Sequence, residues 1–174
     1  MRYAMPPDNP YSLKSFKEMA SLSEETMCFS AKLLRDGKVI GDVSNRGHGG
    51  SNDIHLGLNE SNLLEAYCKT LPPDTFEDGG ILKMDEDYFI TCLADDEAQK
   101  KFRAKEAKKW VKRCTEYSVF RYVGDKKGTW RISQTRSKTP LTGPLFDQHI
   151  AKKGTLEAYM NDLIGADPFV FEKF

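Results

Sequence analysis

The chain has 174 residues, of which 39% are apolar and 11% aromatic, enough to bury the core of one domain. It contains no apolar run of the roughly 18 residues that a membrane span needs, and residues 1–10 lack the charged and apolar regions of a signal peptide. We therefore expect a cytoplasmic protein with no membrane partner.

The formal net charge is zero, but charge is segregated along the chain. Residues 1–99 contain 9 Lys and Arg against 18 Asp and Glu, residues 100–153 contain 16 against 4, and residues 154–174 contain 1 against 4. A stretch this basic inside a neutral protein indicates either a surface for polyanions or an intramolecular partner for the acidic half. An ordinary solvated helix face is the alternative interpretation.

The N-terminal segment carries little pattern. We expect residues 1–10 to be flexible. Residues 11–19 alternate loosely between apolar and polar side chains, which fits an edge strand, although a short helix fits nearly as well.

A β-hairpin is predicted next. Residues 26–34 and 38–44 flank Asp36-Gly37, a dipeptide suited to the positive backbone angles of a type I′ turn. The register that follows pairs Leu33 with Ile40 and Leu34 with Val39.

The following element is a helix that Asn59 or Ser61 can cap and that ends before Pro72 and Pro73. Its apolar residues recur at helical spacing, so we expect this stripe to pack on the sheet. The stripe consists of Leu63, Leu64, Tyr67, Cys68 and Leu71.

Residues 74–97 are acidic, and their apolar side chains fit either one face of a helix or a buried strand. From residue 95 to residue 114 the pattern is helical, with a row of small apolar residues for the core and a row of lysines about 100° away. The apolar residues of the acidic segment are Tyr88, Phe89, Ile90 and Leu93, the predicted core row is Ala104, Ala107, Val111 and Cys114, and the lysine row is Lys101, Lys105, Lys108 and Lys112.

A second hairpin and a short helix follow. Residues 119–123 and 129–133 alternate around the charged loop 124–128, which predicts two paired strands. Gly143-Pro144 begins a short helix that residues 152–154 end. A returning strand is expected at Leu156, Ala158 and Met160, and a docked apolar tail at Phe169, Val170, Phe171 and Phe174.

Strands and helices mix without the regular alternation that builds a parallel sheet, and no internal repeat is present. We predict a single α+β domain over residues 1–174, with an antiparallel sheet built from hairpins and with helices packed on that sheet.

The most distinctive string runs from Asn45 to Asn52 and contains three glycines and two asparagines. Glycines can turn successive N–H groups toward one point, so this loop is a candidate cradle for a phosphate or a nucleotide. The loop lacks the P-loop ending and the dinucleotide-turn spacing, and a wide turn held by its asparagine side chains is the favoured interpretation. The candidate ligand-binding residues are Asn45, Arg46, Gly47, His48, Gly49, Gly50 and Asn52.

Three short segments together form a longer motif: S-E-E-T at residues 23–26, D-G-K at residues 36–38 and N-x-G-x-G-G at residues 45–50. This pattern resembles an uncharacterised family of small bacteriophage and plasmid proteins, with a weaker echo over residues 119–131. The resemblance implies a mobile-element origin and a strand-hairpin-loop core, without an established activity. In such proteins the positions of His48 and Ser51 vary, which counts against a catalytic role for either.

Other chemistry is only weakly indicated. The four cysteines form no C-x-x-C pair, so we expect reduced, buried thiols. His48, Asp53 and His55 offer metal-ligand types without a recognised spacing, so neither a metal nor a cofactor is predicted. Because no nucleophile motif or buried carboxylate pair is indicated either, a non-enzymatic protein is favoured over an enzyme.

Nucleic-acid binding has the best support from the residues. Phosphate neutralisation needs several Lys or Arg on one face, which the lysine row supplies. Phe120, Tyr122 and Trp130 would stack on bases where exposed, but their alternation assigns them to the core, and we expect Trp130 to be buried. The candidate nucleic-acid-binding residues are Lys101, Lys105, Lys108, Lys112, Arg121 and Arg131.

We therefore expect a non-enzymatic accessory protein of a phage or mobile element that binds nucleic acid or a nucleic-acid-handling host protein, for example as an inhibitor of host defence. For a protein partner, the acidic residues 74–97 are the expected surface. The alternative is a small nucleotide- or phosphate-binding protein, with or without enzymatic activity, that uses the loop from Asn45 to Asn52. A homo-oligomer is also compatible with the sequence.

Overall fold

The computed structural model describes residues 3–76 and 78–173. Helices and antiparallel sheets occur along the chain, which confirms the predicted α+β class. The contacts between residues define two compact units, Met1–Lys100 (unit 1) and Lys101–Phe174 (unit 2). The single domain and the flexibility of residues 1–10 stay predictions.

Unit 1 is built on a four-stranded antiparallel sheet in which sequence neighbours are also spatial neighbours. Its strands are β1 (Tyr11–Glu18), β2 (Phe29–Arg35), β3 (Lys38–Asn45) and β4 (Asp53–Leu56). β1 lies at one edge, so the edge strand predicted for residues 11–19 is confirmed. A 3-10 turn at Ala20–Leu22 follows β1.

The hairpin between β2 and β3 turns as predicted. Asp36 and Gly37 have φ values of 51° and 77°, the positive angles of a type I′ turn, and Leu34 pairs with Val39. The predicted pairing of Leu33 with Ile40 is wrong, because a bulge leaves Ile40 unpaired and places Gly41 opposite Leu33.

The first helix, α1 (Leu58–Cys68), begins one residue after Gly57, which has an extended backbone and makes no side-chain cap. The predicted caps Asn59 and Ser61 are therefore wrong, since both lie inside the helix. Of the predicted stripe, Leu64 and Cys68 are buried, whereas Leu63 is 39% exposed. A two-stranded ribbon follows, formed by β5 (Asp74–Thr75) and β6 (Ile81–Leu82).

The second helix, α2 (Glu86–Glu116), decides the ambiguity over residues 74–97 in favour of helix from Glu86 onward. Its apolar residues Phe89 and Ile90 are fully buried in the core of unit 1 with side chains of the sheet and α1. The rings of Tyr11, Tyr67 and Phe89 pack in this core with centroids 5.2–5.7 Å apart.

Unit 2 contains a three-stranded antiparallel sheet with β7 (Ser118–Tyr122) between β8 (Arg131–Ser133) and β9 (Leu156–Tyr159). The predicted second hairpin is confirmed by the β7–β8 pairing. The predicted last strand ends one residue early, because Met160 begins α4 (Met160–Leu163). The remaining elements are α3 (Gly143–His149) and 3-10 turns at Ala151–Lys153 and Val170–Glu172.

The apolar tail of unit 2 is docked, as predicted. Val170 is buried beside Cys114, and the ring of Phe171 stacks on Trp110 with centroids 5.9 Å apart. Phe174, which belongs to the same prediction, lies outside the described residues. The four cysteines are free and buried, which confirms the expected reduced thiols; they are Cys28, Cys68, Cys92 and Cys114.

Along the part of the chain that the structure describes, no helix has the length and apolar character needed to cross a membrane.

Candidate functional site

The lysine row lies on one exposed side of α2 in unit 2. With 100° of rotation per residue, its four members fall within an arc of about 60°, on the side of the helix opposite Trp110 and Cys114, which face the core. All four lysines are exposed: Lys101, Lys105, Lys108 and Lys112.

The core-facing side of α2 differs from the predicted one. Ala107 and Cys114 are buried as expected, but Ala104 is exposed and Val111 is 41% exposed. Trp110 packs against the core instead. The buried side of the helix is therefore rotated away from the lysines, and the angle around the helix axis between the lysine row and the buried side exceeds the predicted 100°. Burial of the Trp110 ring is favoured over burial of Ala104 and Val111, because the ring removes more apolar area from water.

Three of the four lysines of the row have no carboxylate partner among the described residues. Lys105, Lys108 and Lys112 form no ion pair with any residue in 3–76 or 78–173, whereas the neighbouring Lys109 pairs with Glu106. The lysine stems and Ala104 border a shallow groove of about 510 Å³. We call this surface, made of Lys101, Ala104, Lys105, Lys108, Lys109 and Lys112, the lysine face.

Arg121 does not belong to an exposed cationic surface, contrary to the prediction. It is 4% exposed, and its guanidinium donates to Glu157 Oε2 at 2.6 Å and to the Asp125 carbonyl at 2.8 Å. These bonds satisfy a charge that would otherwise be costly to bury. Arg121 therefore holds β7 to its surroundings in unit 2.

Arg131 is exposed, but its charge is already paired. It donates two hydrogen bonds to the Asp125 carboxylate, at 2.9 and 2.6 Å, and this pairing lowers the pKa of Asp125. The aromatics of this hairpin are also engaged: Phe120 is buried, and the Tyr122 hydroxyl donates to the Ile150 carbonyl at 2.8 Å. Trp130, predicted to be buried, is half-buried against the core of unit 2.

The glycine-rich loop is held by the side chain of Asn45, which is 7% exposed. Asn45 Oδ1 accepts hydrogen bonds from the Gly47 N–H at 2.8 Å and from the Thr26 hydroxyl at 2.9 Å, and Nδ2 donates to the Gly50 carbonyl at 3.0 Å. The Gly49 N–H donates to the Thr26 hydroxyl at 3.2 Å. Two of the N–H groups that a phosphate cradle would need are therefore already bonded, one to Asn45 of the loop and one to Thr26.

Asn52 ties the other end of the loop to α2. Its backbone N–H donates to Asp87 Oδ1 at 2.6 Å, and its Nδ2 donates to the same carboxylate at 2.7 Å and to the Thr91 hydroxyl at 2.9 Å. Asp87 was not among the sequence candidates, because a contact 35 residues away leaves no local signal. The loop thus has the structure of a wide turn held by its asparagines.

The side chains of Arg46 and His48 are exposed. The Arg46 side chain is 84% exposed, with Nε 3.5 Å from an Asp53 carboxylate oxygen, and His48 Nδ1 lies 3.0 Å from a Glu24 carboxylate oxygen. Gly47 has a φ of +89°, and a Cβ there would stand 2.3 Å from the Leu22 carbonyl oxygen. Glycine at this position is therefore explained by packing.

A cavity of about 410 Å³ lies beside this loop within unit 1. Its lining includes three carboxylates, those of Glu25, Asp87 and Asp95, together with side chains of the loop. Because carboxylates repel phosphate, the surroundings of the loop do not favour an anion. The structure brings the seven predicted ligand-binding residues into one turn but does not converge their donors on a shared point.

Three of the four cysteines have a thiol pKa that is raised by burial. Burial raises the pKa of the Cys68 thiol to about 12 and that of the Cys92 and Cys114 thiols to about 11, which keeps them protonated near neutral pH. Within residues 3–76 and 78–173, no group of three or more His, Cys, Asp or Glu side chains is placed to hold a metal ion.

One residue of the candidate surface was not predicted. Phe102 is 60% exposed and lies on α2 at the border of the lysine face. Its position follows from helical periodicity, which places residue 102 on the same side as residue 109, so a helical wheel of residues 95–114 contained the signal.

Comparisons of the chain with protein-family models, with curated proteins and with solved structures gave no match. The resemblance to phage and plasmid proteins stays a prediction from the residues.

Proposed function

We propose that this protein binds nucleic acid through the lysine face of α2, as a non-enzymatic accessory protein of a phage or other mobile element. The observation that carries the proposal is the alignment of Lys105, Lys108 and Lys112, which are exposed on one side of a helix without ion-pair partners among the described residues. Unpaired cations in a row attract a regularly spaced polyanion, because each phosphate contact releases a condensed counterion.

The composition of unit 2 supports this choice. Residues 101–174 contain 16 Lys and Arg against 8 Asp and Glu, whereas residues 1–100 contain 10 against 18. A basic unit steers a polyanion toward itself, and Lys105, Lys108 and Lys112 on the lysine face have no ion-pair partner among the described residues.

The binding mode that fits this surface is electrostatic. Lysine ammonium groups act as point charges on flexible stems, and they contact phosphates without the fixed fork that arginine uses for bases. From Lys101 to Lys112 the row spans about 16 Å of helix, which is long enough for a few consecutive phosphates. We therefore propose binding without sequence-specific readout.

A nucleic-acid-handling host protein is the second candidate partner, because the acidic excess of unit 1 offers a complementary surface for a basic protein. The third candidate, a phosphate ligand in the loop from Asn45 to Asn52, is disfavoured because the Gly47 and Gly49 N–H groups are already bonded.

The first prediction tests the lysine face. Changing Lys101, Lys105, Lys108 and Lys112 together to Gln should weaken binding to a labelled oligonucleotide and flatten the log–log salt dependence by about 0.7 per lost contact for a single strand. Fluorescence anisotropy over a series of salt concentrations, in a mixture of protein and oligonucleotide alone, measures both quantities.

A matched control removes the same charge elsewhere in unit 2. Lys126, Lys127, Lys152 and Lys153 are exposed, and changing them together to Gln should leave most of the affinity in place. Equal losses in the two quadruple variants would show that net charge, and not the lysine face, drives binding. If the unchanged protein binds no oligonucleotide in the absence of other proteins, the host-protein candidate is favoured.

A further inference from the structure

Phe102 is a large aromatic side chain that is mostly exposed. It is 60% exposed, although an isolated phenylalanine gains free energy when it leaves water. Phe102 lies within α2, so its nearest neighbours on the helix surface are the residues three, four and seven positions away.

Those neighbours are basic. Lys105 follows Phe102 by three residues, which places their Cβ atoms about 5–6 Å apart on a helix, and Lys109 follows by seven residues on nearly the same side. The ring therefore borders the lysine face on its Lys109 side, next to Lys105. A phosphate held by Lys105 would bring the attached nucleoside within reach of the Phe102 ring.

We infer that the nucleic acid bound by the lysine face is single-stranded and that Phe102 stacks on one of its bases. This inference rests on the proposed function. Bases of a single strand can turn away from one another and present a π-face to an aromatic ring, whereas the bases of a duplex are already stacked on their neighbours. An exposed ring beside a cationic row is the arrangement that sequence-tolerant single-strand binders use.

The second prediction separates stacking from hydrophobicity and from charge. In the full-length protein, Phe102→Leu keeps an apolar side chain without a flat ring, and Phe102→Trp keeps a ring. We expect Phe102→Leu to lower the affinity for a labelled oligothymidylate of about 20 nucleotides roughly tenfold and Phe102→Trp to retain or raise it. The salt slope should stay unchanged in both variants, since no charge is lost.

A duplex of the same length is the matched ligand. Its affinity should be unaffected by either substitution, and circular dichroism of each variant confirms that α2 remains folded. In Phe102→Trp, quenching of tryptophan fluorescence on addition of the single strand, relative to the quenching seen in the unchanged protein, would report the stack directly.

The outcomes distinguish the two proposals. If the quadruple lysine variant loses binding while Phe102→Leu binds the single strand as tightly as the unchanged protein does, the lysine face stands and the stacking role of Phe102 is overturned. If single strand and duplex lose affinity equally in Phe102→Leu, the single-strand preference is overturned. If the unchanged protein binds neither ligand, both proposals fail.

Discussion

Asn52 makes a denser set of hydrogen bonds than its half-buried position would require. Its backbone N–H and its side-chain amide both reach the Asp87 carboxylate, the amide also reaches the Thr91 hydroxyl, and Oδ1 accepts from Asn45. An amide supplies two donors and an acceptor at one position, which no apolar side chain of the same size can replace. Asn52 is thus the residue that joins the glycine-rich loop to α2 within unit 1.

The third prediction concerns this residue. Asn52→Ala removes the side-chain bonds and leaves part of the Asp87 carboxylate unsatisfied, so we expect a loss of about 1–3 kcal/mol in the free energy of unfolding. Urea denaturation followed by circular dichroism measures the change. Ser51→Ala, at the exposed neighbouring position, serves as the control and should leave the midpoint nearly unchanged. A midpoint for Asn52→Ala equal to that of the control would contradict the anchoring role.

Only the role of Asn45 in this loop could be predicted from the sequence. Asn and Gly in one string indicate a turn held by asparagine side chains, and Asn45 behaves as that pattern predicts. The attachment of Asn52 to Asp87 depends on how the strand and the helix pack, and no periodicity within the loop encodes a partner 35 residues away. Local chemistry was therefore predictable, and the tertiary contact was not.

At the level of elements, the turn of the first hairpin could be predicted from the sequence, whereas the register of its strands could not. The Asp36-Gly37 turn follows from the demand for two positive φ angles, which this dipeptide meets at low cost. The bulge at Ile40 does not follow from the turn, since it depends on which residues of β3 face the core across β2 and β4. Val43 occupies that core while Val39 stays exposed.

The fourth prediction addresses this turn. Gly37 has a φ of 77°, so Gly37→Val forces a β-branched side chain into a left-handed conformation and should lower the free energy of unfolding by about 1–3 kcal/mol. Thermal denaturation monitored by circular dichroism gives the shift. Lys38→Val places the same side chain at the first position of β3 and is expected to change the melting temperature little. Equal melting temperatures for the two variants would argue against the strained turn.

Across the whole molecule, charge is divided between the two units, with the acidic excess in unit 1 and the basic excess in unit 2. The division is visible in the sequence, but the pairing of the individual charges is not. Arg121 and Lys105 belong to the same basic stretch, yet Arg121 is buried against Glu157 and Lys105 is exposed. Only the tertiary structure separates structural cations from those available to a ligand.

Several carboxylates in unit 2 form hydrogen-bonded ion pairs with Lys or Arg side chains. A hydrogen-bonded cationic partner lowers the pKa of each below its ordinary value. The pairs with a lowered carboxyl pKa are Asp125 with Arg131, Asp167 with Lys173 and Glu172 with Arg103. One comparable pair lies in unit 1, where Arg35 lowers the pKa of Glu60.

The fifth prediction is the pH dependence that follows. A carboxyl whose pKa is lower in the folded protein than in the unfolded chain stabilises the fold above the unfolded pKa, about 4, and loses that contribution as pH falls toward the folded value. The urea midpoint of unit 2 should therefore decrease between pH 5 and pH 3. Tryptophan fluorescence reads it selectively, because both tryptophans, Trp110 and Trp130, lie in unit 2.

Asp125→Asn supplies the control for that measurement. It removes the most strongly shifted carboxyl, so its midpoint should be lower at pH 7 and should fall less steeply on acidification than that of the unchanged protein. A midpoint that stays level from pH 5 to pH 3 in the unchanged protein would mean that these pairs contribute nothing to folding.

The lysine face also has a cost for the free protein. Lys105, Lys108 and Lys112 follow one another at spacings of three and four residues, and like charges at these spacings destabilise a helix by about 0.2–0.5 kcal/mol per pair. A bound polyanion would remove this self-repulsion, so part of its binding free energy would appear as added stability of α2. If the proposed binding occurs, the same repulsion between lysines that weakens α2 in the free protein would add to the affinity for a polyanion.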